Sequence, residues 1–199
     1  MRVQKSIFLT LLLCLAIPEL WSQSLEPLAT FNLERESLNQ QGMLILGSWS
    51  VANMTWSAFN LNHSNDLNRA YHQMNLGWNA VNLAIAGFGY YQSLNPESLN
   101  LATSIDAQEG IKRILAVNAG LDLAYIASGF YLRERAKNRP EEFDRWEGFG
   151  RAVIVNGAFL FAFDLILYWV HQSHGAEALS PIIQGLQLGP NGLGLQIKF

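Results

Sequence analysis

Four stretches of nineteen residues, Met43–Leu61, Met74–Gln92, Ile114–Leu132 and Ala152–Val170, hold only two charged side chains between them, Asp122 and Asp164. The other 27 of the chain's 29 charged residues lie in the 123 residues outside those stretches. Each stretch is about as long as the ~20 residues that cross a hydrocarbon core. A water-soluble four-helix bundle is the alternative, but its helices carry Lys and Glu on their outer faces, and these have none. The expected fold is therefore all-α: a four-helix transmembrane bundle with spans at about 43–61, 74–92, 114–132 and 152–170. The lipid bilayer is its first partner.

Composition narrows the class further. With 50% hydrophobic residues, 12% aromatics and a net charge of −3, the chain lacks the signature of disorder. Its pI near 5.8 gives no overall positive field, so nucleic acid is not an expected partner. Arg2 and Lys5, an apolar run from Ile7 to Ile17, and the helix-breaking stretch Pro18–Ser22 have the layout of a secretory signal. Cleavage after Ser22 is expected, an uncleaved anchor being the alternative. The sole cysteine, Cys14, follows Leu13 rather than a small residue, which argues against lipidation. Cleavage would leave a mature chain without thiol chemistry.

These segments predict a signal peptide at 1–22, a membrane domain at 23–175 and an extra-cytoplasmic tail at 176–199. Ser64 and Asp66 are candidate caps for the second helix, which Asn95-Pro96 should end. Asp106 and Glu109 suggest a capping box for the third. Pro140 suits the first turn of the fourth, and Gly175 its stop. A charged helical hairpin should then run from Arg133 to Arg151, with Glu141–Arg145 and Glu147–Arg151 as (i, i+4) pairs.

That hairpin carries Arg133, Arg135, Lys137, Arg139, Arg145 and Arg151, the densest basic cluster in the chain. Basic residues stay on the cytoplasmic side, which agrees with a cleaved signal and four spans. Lys112 and Arg113, at the outer end of the third span, oppose this orientation. Tyr90, Tyr91, Tyr168 and Trp169 fall at the expected outer boundary. The expected location is a bacterial inner membrane with both mature termini periplasmic. The hairpin and the tail are the surfaces open to a protein partner.

Each span has a polar seam. Ser50, Asn53, Ser57 and Asn60 share one helical face; so do His72, Asn75, Asn79, Asn82, Ala86 and Gly89. The third span adds Asn118, Asp122, Tyr125 and Gly129, and the fourth Asn156, Asp164 and His171. Lipid cannot satisfy amides or carboxyls, so the seams should face inward and pair across helices, with Ala80, Ala84, Ala124 and Ser128 allowing close approach. Asp122 and Asp164 stand near mid-span, where a carboxyl is a functional hypothesis by default. On antiparallel helices they can meet, with Asn118 close by, and at least one is then expected to hold its proton at neutral pH.

Other chemistry finds little support. The sequence has no phosphate-binding glycine loop, nucleophile elbow or zinc-protease helix, so no catalytic residue and no cofactor is assigned. His171-x-x-His174 is a weak metal candidate lacking an acidic partner. His63 and His72 fall at the opposite end of the bundle, so no axial haem pair forms at one depth. The tail alternates Leu193, Leu195, Ile197 and Phe199 with polar or small residues, and reads as a short extended segment joined through Gly189–Gly192.

The segments His72–Phe88, Asn118–Asp122 and Gly148–Arg151, followed by Asn156 and Asp164, resemble an uncharacterised family of small bacterial helical membrane proteins. The resemblance covers roughly residues 40–175. It implies an architecture and no established activity, substrate or cofactor. Two functions stay open: a non-enzymatic membrane component with a polar bundle core, or a protein that moves a proton or small solute using Asp122 and Asp164. An enzyme acting on a lipid-soluble substrate, with those carboxyls as acid and base, is a distant third.

Overall fold

The computed structural model describes the backbone at 2–94, 99–184, 186–189 and 192–195, and side chains at 27–94 and 99–180. Among the described residues there are four long helices, α1 (Arg2–Asn60), α2 (Asp66–Ser93), α3 (Leu101–Lys137) and α4 (Phe143–Gln184). A 3-10 turn at Pro140–Glu142 precedes α4, and a hairpin of β1 (Leu186–Gly189) and β2 (Gly192–Leu195) follows it. The strands pair antiparallel from Leu186↔Leu195 to Gly189↔Gly192, so the expected extended tail folds back on itself. Ile197 and Phe199 lie outside the described residues.

The helix boundaries move for identifiable reasons. α1 runs through Pro18–Ser22 without a break. Ser64 does not cap α2; its hydroxyl donates to Asn60 O at 2.7 Å and closes the end of α1. The cap is Asn65, whose Oδ1 accepts from Asn68 N at 3.0 Å, while Asp66 is already helical and pairs with Arg69. α3 starts earlier than expected because Asn100 caps it through Thr103 N, which leaves Asp106 and Glu109 inside the helix. Glu109 pairs there with Lys112 at 2.6 Å. Gly175 does not stop α4; it lies within the helix, where a side chain would meet Gln108 of α3.

α4 is the central helix, packing against α3, α2 and α1, while α1 packs chiefly on α2. The backbones of α2 and α3 stay apart. Close approach comes from glycines rather than from Ala80, Ala84, Ala124 and Ser128, which are exposed. The 3–4 period that turns Asp122 and Gly129 inward turns Ala124 and Ser128 outward. A Cβ at Gly129 would meet Ile154 and the Gly150 carbonyl, one at Gly150 would meet the Gly129 carbonyl and Arg133, and one at Gly148 would meet Leu67, Ala70 and Tyr71 of α2. An apolar cluster of Leu28, Phe31 and Leu179 closes one end of the bundle.

Elsewhere polar side chains share the interior with aliphatic ones such as Leu46, Leu115, Val153 and Leu167. Ser50, Ser57, Asn75, Asn79 and Asn156 are fully buried. Phe59, Trp56, Ile85, Phe88, Val117, Phe130, Ile166 and Trp169 are all more than half exposed, on all four helices. α3 and the segment Pro140–Ser180 are long and apolar enough to cross a membrane, with mean hydropathy of 1.3 and 2.0 in their best windows. Only 22% of each window is buried, unlike the core helix of a soluble protein. Among the described residues, the stretches 43–60 of α1 and 74–92 of α2 are charge-free but carry Asn and Ser along their inward faces.

The α3–α4 hairpin is held by one buried carboxylate. Glu147 Oε1 accepts from Arg133 Nε at 3.0 Å and from Arg151 Nε at 2.8 Å. Arg145, expected to pair with Glu141, instead lies by the Trp146 and Phe149 rings. Burial alone would raise the Glu147 pKa, but the hydrogen bonds from Arg151 and Arg133 outweigh it and hold the group below the usual glutamate value. Such a group contributes stability that is fully present above its unfolded pKa, about 4.3, and lost as pH falls through the folded value. Both arginines are partly exposed, so Glu147→Gln should cost about 1–2 kcal/mol, below the loss for a fully buried pair. Thermal unfolding in detergent should show a lower midpoint at pH 7 and a shallower decline below about pH 4. Equal midpoints at pH 7 would contradict the clamp.

Candidate functional site

The inward seams of α1, α2 and α4 meet in a network of side-chain amides. Asn75 Nδ2 donates to Ser57 Oγ at 2.8 Å and lies 3.3 Å from Asn53 Oδ1. Asn75 Oδ1 accepts from Asn156 Nδ2 at 2.7 Å and from Asn79 Nδ2 at 3.0 Å. Asn79 Nδ2 also reaches Asn156 Oδ1 at 2.9 Å, which closes a triangle between α2 and α4. His72 Nδ1 lies 3.2 Å from Ser57 Oγ and extends the network toward the end of α2. These side chains sit on α2 at the 3–4 spacing that places them on a single face.

The remaining expected members behave differently. Asn53 is half-buried at the edge of the network and donates to Trp49 O of its own helix at 2.9 Å. Asn60 also turns back on its helix, donating to Trp56 O. Asn82 is buried, yet its Nδ2 has no partner. Asn118 is half-buried and faces the space between α2 and α3.

That space is a cavity of about 620 Å³. Leu46, Val81, Ile85, Leu121, Leu160 and Phe163 supply apolar wall, and Asn82, Asn118, Asp122 and Asp164 supply polar groups. Trp78 of α2 bridges to Tyr125 of α3, their rings 4.9 Å apart and perpendicular. A second cavity of about 770 Å³ shares Leu46, Ile85, Asn118, Phe163 and Asp164 with the first, so the cleft continues along the bundle. Asp122 of α3 and Asp164 of α4, both buried, line the first cavity together. Asp122 Oδ2 remains without a partner.

His171 and His174 do not converge on a metal position. His174 Nε2 lies 3.2 Å from Glu34 Oε2, and its ring stacks on Phe31. His171 is fully buried with both ring nitrogens unpartnered, and its carbonyl accepts from Gln108 Nε2. Among the described residues no group of three or more His, Cys, Asp or Glu could hold a metal ion.

The model of DUF6992, a family of unknown function, matches residues 45–165. The chain belongs to that family. The matched region contains the amide triangle, the carboxyl pair and the glycine contacts of the α3–α4 hairpin. No curated protein and no solved structure is similar to the chain.

A second polar cluster, outside the charge-poor stretches, was not among the expected site residues. Asn32 Nδ2 donates to Ser104 Oγ at 2.9 Å, and buried Arg35 donates to Asn32 Oδ1 at 2.8 Å and to Glu36 at 2.7 Å. Its sequence signal is the ladder Leu28, Asn32, Arg35, Asn39, Gly42, Leu46, which continues the α1 seam toward the N-terminus.

Asn75 touches more members of the amide network than its neighbours do. Asn75→Ala should cost about 1–2 kcal/mol, because it removes the oxygen that accepts from Asn79 and Asn156 and the amide that donates to Ser57. Asn53→Ala should cost less than half as much. Helical circular dichroism during detergent unfolding measures both; equal losses would contradict the central place given to Asn75.

Proposed function

We propose that this protein is a non-enzymatic integral component of a bacterial inner membrane, with four spans and a polar core that fixes how they assemble. The observation that carries this reading is the distribution of polarity. Buried amides share the interior of the bundle with a few aliphatic side chains, and large apolar side chains face outward from every helix. A soluble monomer rarely exposes apolar patches beyond a few hundred Å². A docking face for one partner would be apolar on one side only, whereas lipid surrounds the whole bundle. In this reading the signal at 1–22 is removed, both mature termini are periplasmic, and the basic hairpin at 133–151 is cytoplasmic. The hairpin and the tail are the parts free to meet a protein partner.

Membrane residence is tested by fractionation of cells that express the full chain. The protein should stay in the pellet through alkaline carbonate and leave it only with detergent. Release into the soluble fraction by carbonate alone would overturn the reading.

A second reading, passage of a proton or small solute, is favoured by one specific feature: the Asp122–Asp164 pair beside a cleft that continues along the bundle. In proteoliposomes, Asp122→Asn and Asp164→Asn should each reduce proton flux at least tenfold while leaving the helical signal unchanged. Flux at the wild-type rate in both variants would leave the pair with a purely structural role.

A further inference from the structure

The carboxyl pair and the cavity beside it have the properties of a ligand site. Asp122 and Asp164 are both buried and line one cavity from α3 and α4. Among the described residues neither aspartate is ion-paired. A carboxyl in apolar surroundings either keeps its proton or gives it to a basic ligand that then stays beside it as a cation. The two unpartnered polar atoms at the cavity, Asp122 Oδ2 and Asn82 Nδ2, belong to residues 3% and 6% exposed. They come from facing helices, α3 and α2, so the polar floor is built by both walls and is more than an acidic cluster. Around it stand aliphatic side chains and the rings of Trp78, Tyr125 and Phe163. Aromatic faces attract organic cations, and about 620 Å³ lies within the ordinary range for small-molecule pockets.

We infer that the cleft between α2 and α3 binds a lipophilic amine, its ammonium group donating to Asp122 and its hydrocarbon part lying along Val81, Ile85 and Leu121. The ligand enters sideways from the hydrocarbon phase, so the inference rests on the membrane reading and adds a ligand class to it.

Octylammonium, octanol and octanoate have similar tails and differ in charge. Calorimetry on the full-length protein in lipid nanodiscs, corrected with empty nanodiscs, should show octylammonium binding at least tenfold more tightly than octanol, with octanoate not binding. Asp122→Asn should bring octylammonium down to the affinity of octanol and leave octanol itself unchanged. Gly77→Leu provides a second variant. Gly77 lines the cavity, and a Cβ there has nothing within 4 Å, so a side chain can start from this wall; an unchanged helical circular dichroism signal confirms the fold of the variant. It should abolish octylammonium binding. Octanol binding as tightly as octylammonium, an unchanged amine affinity in either variant, or no binding of any probe would overturn the inference. Carbonate extraction decides membrane residence separately, so the two readings fail by different results.

Discussion

A side-chain amide removed from water must be hydrogen-bonded to another protein group or destabilise the fold. In this bundle that requirement sets the packing. Asn75, Asn79 and Asn156 bond to one another at 2.7–3.0 Å, with Asn79 Oδ1 alone of the triangle's amide atoms left unpartnered, and Ser57 brings α1 into the same network. Only one rotation and one depth of α2 against α4 allow all these bonds at once. Apolar contacts lack such direction and would not choose among registers so sharply. The glycines then bring the backbones close enough for short amides to reach each other: Gly148 meets the start of α2, and Gly129 and Gly150 meet across α3 and α4.

The same arrangement explains the cavity. α4 takes its contacts from α2 on one side and α3 on another, and nothing ties the backbones of α2 and α3 together. Trp78 and Tyr125 span the opening with their rings. The two polar centres therefore differ in kind. The amide triangle is neutral, shared by two helices and largely satisfied, which suits a structural joint. Asp122 and Asp164 are acidic, line the cavity, and include a buried oxygen without a partner.

Much of this was legible in the sequence, because periodicity survives without any knowledge of contacts. The 3–4 spacing of His72, Asn75, Asn79, Asn82 and Ala86 placed one face of α2 correctly, and each of these residues is buried. The near absence of charge in four stretches located all four helices. Helix ends were less legible, since caps depend on local backbone geometry: Asn65 and Asn100 cap α2 and α3, whereas Ser64 bonds backward and Glu109 pairs sideways. α1 extends back where charged residues return, at Glu34, Arg35 and Glu36, and α4 runs on through Gly175, which reads as a stop but packs against Gln108 within the helix. Arg35 shows why that signal misleads: it is charged and yet 2% exposed, with Asn32 and Glu36 as partners. Which two helices stand apart is a property of the assembly, and no pattern within one helix encodes it.

The central claim is that hydrocarbon surrounds the outward faces of these helices. Spin labels at Val81, Val117 and Ile166, one on each of α2, α3 and α4, would report this in lipid bilayers through collision with dissolved oxygen and with a polar nickel chelate. The account predicts high oxygen and low nickel accessibility at all three positions. High nickel and low oxygen accessibility at these positions would contradict it.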